Sequence, residues 1–199
     1  MIATKKPELY LASASPRRAE LLQQIGVRYE RCVADIDERR NGQESPRDYV
    51  CRLASEKAAA ARVKLSDSTL PILGADTIVV IEGDILAKPV SRQDAQRMLQ
   101  RLSNNWHEVL TAVAMIGEGV SECLCSVTRV HMSALSEPEI QAYVELEMVL
   151  DKAGAYGIQG VAASFIDRIE GSYSGVMGLP LFETTTLLKR FGINVLTRE

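Results

Sequence analysis

A chain of 199 residues is long enough to bury one substantial core. Its 46% hydrophobic and 25% charged residues with a net charge of −3 are ordinary soluble composition. A pI near 5.6 excludes a general nucleic-acid binder, so any anion site must be a local concentration of charge.

In chain order, Met1-Ile-Ala-Thr-Lys-Lys6 is too short and too polar to be a signal peptide, and no apolar run approaches the roughly 18 residues of a membrane span. The expectation is a cytoplasmic protein with no membrane partner. Leu9-Tyr10-Leu11 reads as a strand that enters Ala12-Ser13-Ala14-Ser15-Pro16-Arg17-Arg18 and leaves as a helix. Ser15 is a good N-cap, Pro16 suits the first helical position, and Gly26 stands where a C-cap would be. A helix N-terminus presents free N–H groups and partial positive charge, and two guanidiniums are added here. The same pattern also fits a capped helix with two solvated arginines.

Tyr29–Ala34 reads as a second strand, followed by the acidic loop 35–42 with Asp35, Asp37 and Glu38. Ser45-Pro46 opens a long helix to about Val63, with Tyr49, Val50, Leu53, Ala54, Ala58 and Ala61 at helical spacing. Lys57 falls on or beside this apolar stripe, where a lysine either reaches a pocket or snorkels to water. Pro71–Ile81 is the strongest strand and reads as buried on both faces. Glu82-Gly83-Asp84 turns it back toward Lys88-Pro89. Ser91 caps a helix to about Leu102, and Asn104-Asn105 is a turn. Val109–Ile116 and Val120–Met132 form a hairpin across Gly117-Glu-Gly119. Ser136-Glu-Pro-Glu139 is a capping box for a helix to about Leu146. Residues 151–160 have no period; Ala163–Ile169 reads as a strand, Gly171–Gly175 as a loop, and Leu181–Phe191 as a closing helix. The whole predicts one α/β domain over residues 1–199, with a long mixed sheet flanked by helices and a central cleft.

Cys32, Cys51, Cys123 and Cys125 lack C-x-x-C spacing and nearby histidines, so four free, buried or half-buried thiols are expected. His107 and His131 are too few and too far apart for a histidine-based metal site. Asp76 is the sharpest anomaly: a carboxylate inside an apolar strand needs a partner, a metal or water. It is either bonded to backbone at a bulge or is an acid at the strand's cleft end, and Gly74 permits close approach. Glu38 is a second candidate hard-cation ligand, since Mg²⁺ or Mn²⁺ needs only one or two carboxylates plus phosphates, although the acidic loop by itself reads as a solvated charge run. With Arg17, Arg18, Lys57 and Lys88 these residues suit phosphate chemistry, although no Walker A or G-x-G-x-x-G motif is present.

Six ordered segments carry a resemblance: Ser13-Ala-Ser-Pro-Arg-Arg-x-x-Leu21, Glu56-Lys57-Ala58, Gly74-Ala-Asp-Thr77, Lys88-Pro89, Asp151–Gln159 and Gly178-Leu-Pro180. Together they are similar to the Maf family of nucleoside triphosphate pyrophosphatases, also called septum formation inhibitors, from about Leu9 to Phe191. The resemblance implies an elongated α/β fold with a central cleft, often homodimeric, related in shape to inosine triphosphatases. It implies metal-dependent hydrolysis of a nucleoside triphosphate to the monophosphate and pyrophosphate. Asp76 resembles the proton acceptor and Glu38 a metal-linked acid. Ser13, Arg18, Lys57 and Lys88 match the phosphate-binding set, and Arg17, Thr77 and Gln159 match positions tied to substrate choice. That last trio looks like the dTTP- and UTP-preferring branch; the branch acting on 7-methyl-GTP has an aromatic at the position of Arg17. Ala14, Ser174-Gly175 and Met177 depart mildly from the pattern. A nucleotide-binding division regulator without turnover and an inosine triphosphatase-like enzyme are the alternatives.

Overall fold

The strand that carries Asp76 is buried almost throughout in the computed structural model, which describes residues 6–65, 68–146 and 149–196. In chain order the elements are β1 (Leu9–Ala12), α1 (Pro16–Gln24), β2 (Tyr29–Arg31), α2 (Pro46–Lys64), β3 (Ile72–Ile81), β4 (Asp84–Leu86) and α3 (Arg92–Leu102). The long strands β5 (Asn105–Ile116) and β6 (Ser121–Met132) follow, then α4 (Glu137–Leu146), β7 (Ile166–Glu170), α5 (Tyr173–Val176) and α6 (Leu181–Arg190). Short 3₁₀ turns lie at Ala153–Ala155 and Val161–Phe165. The fold is α/β: a mixed seven-stranded sheet in the order β2-β1-β3-β5-β6-β7, with β4 on β3, flanked by helices. β1 pairs in parallel with both β2 and β3, whereas β4 and β7 pair antiparallel with β3 and β6.

The chain folds into two compact units. One lies within Met1–Asp76, Thr111–Cys125 and Gly178–Glu199; the other lies within Thr77–Leu110 and Ser126–Met177. In the first, Ala58, Ala61 and Ile72 are fully buried and pack with Ala12 and the half-buried Tyr10 and Ile116. In the second, Val79, Ile81, Leu99, Leu102, Val130, Met132 and Tyr143 form the core. Both histidines belong to that unit. His107 Nε2 lies 2.7 Å from the Tyr156 hydroxyl in the interior, and His131 Nδ1 lies 2.6 Å from Asp167 Oδ1. No helix among the described residues is long and apolar enough to cross a membrane.

β3 is buried along its length apart from the half-buried Thr77, in keeping with an interior strand covered on both faces. Gly74 shows how tightly it is covered. A Cβ there would stand 2.3 Å from the Ala54 carbonyl oxygen and 2.9 Å from the Ala58 amide nitrogen. The backbone of α2 therefore rests directly on β3. The run of alanines at 54, 58 and 61, all without exposed surface, permits that approach. Ser45 starts the helix by accepting the Asp48 N–H at 3.1 Å.

Local structure departs from the sequence reading in five places, one of them at Asn105, which begins β5 four residues before the expected strand instead of closing a turn. The Ser15 side chain makes no cap bond; its N–H instead donates to Ser13 Oγ at 3.2 Å. β2 ends at Arg31 because β1, its ladder partner, ends at Ala12. The strand expected from Ala163 begins only at Ile166, because residues 163–165 belong to the 3₁₀ turn Val161–Phe165, where Ser164 Oγ donates to the Val161 carbonyl at 2.7 Å, a local bond that competes with a ladder. Residues 173–176 are a helical turn, because Ser172 Oγ accepts the Gly175 N–H at 3.0 Å.

The close approach at Gly74 sets a measurable cost. Gly74→Ala is expected to lower stability by about 2 kcal/mol or more, since helix backbone must shift to admit the methyl. A thermal or urea melt checks this, and an unchanged midpoint would show that α2 can move off the strand freely.

Candidate active site

Helix α2 lies on β3 at Gly74, so the residue before Ala58 comes level with the strand two positions further on. Lys57 Nζ lies 2.5 Å from Asp76 Oδ1 and 2.8 Å from Glu38 Oε1. One ammonium is thus shared by two carboxylates from a helix-facing strand and an acidic loop. Lys57 and Asp76 side chains are 15% and 10% exposed, whereas Glu38 is 46% exposed. The anomalous aspartate is partnered by a side chain, not by a backbone bulge, and the lysine on the apolar stripe does not snorkel to water.

The loop holding Glu38 is fastened to α2 by residues that carry no chemical signature in the sequence. The Tyr49 hydroxyl donates to the Glu38 carbonyl at 2.6 Å. Arg52 Nη2 donates to the Arg39 carbonyl at 3.1 Å, and Nε and Nη2 grip both oxygens of Glu44 at 2.8 and 3.0 Å. Arg52 also lies over the Tyr49 ring, 5.5 Å from its centre. Tyr49 reads from the sequence only as a core-stripe residue, and Arg52 draws no functional reading there. Their partners lie 8 to 13 residues upstream on a loop without periodicity, which no pattern could have shown.

The segment before α1 is tied to β3 through Arg18. Ser13 is buried at the end of β1, and its Oγ accepts from both the Ser15 N–H and Arg18 Nη1, the latter at 3.1 Å. Arg18 also donates from Nη1 to the Ala75 carbonyl at 2.9 Å and from Nε to the Gly178 carbonyl at 2.7 Å. Its guanidinium therefore ties three segments together. Burial lowers its pKa from the ordinary value, opposed by the negative charges of Asp76 and Glu38, while Arg17 adds positive charge beside it. The same two carboxylates act on Tyr49, whose hydroxyl is pushed up first by burial and then by their charge.

The first unit thus brings together Ser13, Arg17, Arg18, Glu38, Lys57 and Asp76. Thr77 follows Asp76 in β3 and is half-buried. Lys88 and Gln159 belong to the second unit, and both are exposed. Lys88 lies beyond β4, whose ladder on β3 ends at the Val79–Leu86 pair, and Gln159 lies in the turn after residue 157. Among the described residues, no cluster of three or more His, Cys, Asp or Glu side chains is arranged to hold a metal ion. Asp76 and Glu38 nonetheless face a common point, occupied by the Lys57 ammonium. Two hard oxygen donors fit a divalent cation that takes its remaining ligands from water and phosphate.

The profile of the Maf-like protein family matches residues 8–191. The chain belongs to that family. This Maf-like chain is 52% identical over 187 residues to a protein of Methylobacillus flagellatus named dTTP/UTP pyrophosphatase, covering 94% of each chain. Proteins of the same name from Hahella chejuensis and Escherichia coli K12 are 51% and 50% identical, over 188 and 184 residues, covering 94% and 92% of each chain. The motifs that carry the family likeness in the Maf-like chain include the segments that meet in the Asp76 cluster.

The shared ammonium makes the cluster energetically coupled. Lys57→Met leaves two facing carboxylates without their common cation and is expected to cost about 2 kcal/mol or more. Adding Asp76→Asn should return part of that loss, with a coupling energy of about 1–3 kcal/mol in a double-mutant cycle. Strictly additive urea midpoints would mean that Lys57 and Asp76 do not depend on one another.

Proposed function

We propose that this chain hydrolyses dTTP and UTP to the nucleoside monophosphate and pyrophosphate, clearing nucleotides from the cellular pool. The observation that carries this reading is the Asp76–Lys57–Glu38 cluster beside the Ser13–Arg18 segment, in a chain half identical to proteins named dTTP/UTP pyrophosphatase. The triphosphate lies against the start of α1, where free N–H groups and the positive helix end favour an anion. Arg17 contributes charge there, and Arg18 holds Ser13 and the segment around Gly178 in place. Lys57 and Lys88 neutralise phosphate oxygens. Asp76 accepts the proton of a water whose oxygen attacks phosphorus; the α,β-anhydride bond breaks and pyrophosphate leaves.

Charge accounting is the reason to include a cation. Arg18 and Lys57 are already offset by Asp76 and Glu38, so a triphosphate brings negative charge that the cluster alone does not balance. Glu38 and Asp76 would hold Mg²⁺ or Mn²⁺, which supplies neutralisation of the phosphate oxygens when bound. Arg17, Thr77 and Gln159 select the base: the Gln159 amide can donate to and accept from a uracil or thymine edge. CTP reverses one of those polarities, whereas the extra methyl of thymine is a weak discriminator.

Pyrophosphate release from a nucleotide panel tests the reading. dTTP and UTP should exceed CTP and the purine triphosphates in kcat/KM by about tenfold or more, and Gln159→Ala should lower both pyrimidine activities together. EDTA should abolish release, with Mg²⁺ or Mn²⁺ restoring it. A best rate on 7-methyl-GTP or ITP would overturn the substrate assignment, and activity surviving exhaustive chelation would remove the cation.

Asp76→Asn separates turnover from binding. It should retain the fold and nucleotide binding yet lose turnover by on the order of 10² or more. Near-normal kcat in a folded variant would end the case for Asp76 as base.

A further inference from the structure

Three of the four cysteines converge within the first unit, although Cys51 and Cys123 are 72 positions apart. Cys51 is on α2. Cys123 and Cys125 are on β6, where a spacing of two places both on one face of the strand. Cys123 Sγ lies 3.9 Å from the Cys51 carbonyl oxygen, which sets this part of β6 against the turn of α2 that carries Cys51. All four cysteines are free and half-buried. Cys32 stands apart from this group, its Sγ 4.0 Å from the Ala61 carbonyl among the apolar residues under α2.

The arrangement gives the three thiols unequal roles. The neighbouring Cys123 and Cys125 thiols, with the charge of Arg47 one turn earlier on the helix, hold the Cys51 pKa well below the ordinary thiol value against the opposing effect of burial. Cys123 and Cys125 are pushed upward, by the neighbouring Cys51 and by burial, and keep their protons. An electron-rich sulfur next to two protonated thiols is the disposition of a nucleophile with resolving partners. Metal binding is the other use of three thiols, but no three-residue group of ligating geometry occurs among the described residues.

We propose that Cys51, Cys123 and Cys125 form a hydroperoxide-oxidisable site in which Cys51 reacts first and then closes a disulfide with one of the two strand cysteines. The Cys51 thiolate attacks the hydroperoxide; an S–O bond forms, the O–O bond breaks, and the departing oxygen leaves as alcohol or water after taking a proton. The Cys123 or Cys125 thiol then attacks the sulfenic sulfur, the S–S bond forms, and the hydroxyl leaves as water with the thiol proton. Two electrons pass from the cysteines to the peroxide. The product fastens β6 to α2 at a point six residues before Lys57, on the helix that the candidate active site depends on.

The test uses the reduced full chain treated with about one equivalent of hydrogen peroxide, followed by thiol titration, intact mass and peptide mapping. Two of the four thiols should be lost. The mass should fall by about 2 Da, the two thiol hydrogens, and dithiothreitol should restore it. The mapped bridge should join Cys51 to Cys123 or Cys125. Cys32→Ser should behave as the parent, whereas Cys51→Ser should form no bridge and lose thiols at least ~10-fold more slowly. Cys123→Ser and Cys125→Ser should each still form a bridge and the double variant none, which decides the matter even if Cys51→Ser does not fold. Oxidation of Cys32 at the same rate would overturn the proposal, as would stable oxygen adducts on Cys51 without a bridge. So would one zinc ion held by the reduced chain and released by Cys51→Ser.

Discussion

The absence of a side chain at Gly74 is the constraint on which the candidate site depends. Helix α2 lies so close to β3 that a single methyl would meet the Ala54 carbonyl and the Ala58 amide. That contact brings Lys57 to the strand position where Asp76 needs a cation. A helix held a few ångströms further away would leave a carboxylate in an apolar strand without its partner, a costly state. Small residues on the helix and none on the strand are therefore electrostatic devices as much as packing ones.

Around that contact, polar groups are organised in two tiers. Lys57, Asp76 and Glu38 exchange charge directly, while Arg18, Tyr49 and Arg52 hold the segments that carry or flank them. Arg18 binds carbonyl oxygens of Ala75 and Gly178 and the hydroxyl of Ser13, so its charge is fixed in place by acceptors from three parts of the chain. Tyr49 and Arg52 hold loop 38–44 through backbone carbonyls and Glu44, so an exposed loop presents Glu38 at a defined height. Charges fixed in advance of a ligand need little reorganisation when one binds, which is the property phosphoryl chemistry requires.

The thiol group shows the same helix serving a second purpose. One turn of α2 faces β6 through Cys51, and a later turn faces β3 through Lys57. Both contacts are polar interruptions of an otherwise alanine-rich helix, and each places a reactive group against a strand.

Much was legible in the sequence because the signals are local. The Ser45 and Ser91 caps, the capping box at Ser136, the hairpin across Gly117–Gly119 and the buried run of β3 all rest on neighbours within a few residues, and the elements formed where these signals placed them. The failures at Ala163–Phe165 and Tyr173–Gly175 arose where a serine hydroxyl satisfied nearby backbone and overrode a weak pattern. Asp76 was conspicuous by composition alone, since a carboxylate among Leu, Ile and Val breaks the strand's chemistry. Only tertiary structure decided its partner. Lys57 is 19 positions away, Gly178 is 160 positions from Arg18, and Cys123 is 72 from Cys51. Such separations are closed by sheet order and by the depth at which a helix packs, and neither leaves a periodic trace in the residues themselves.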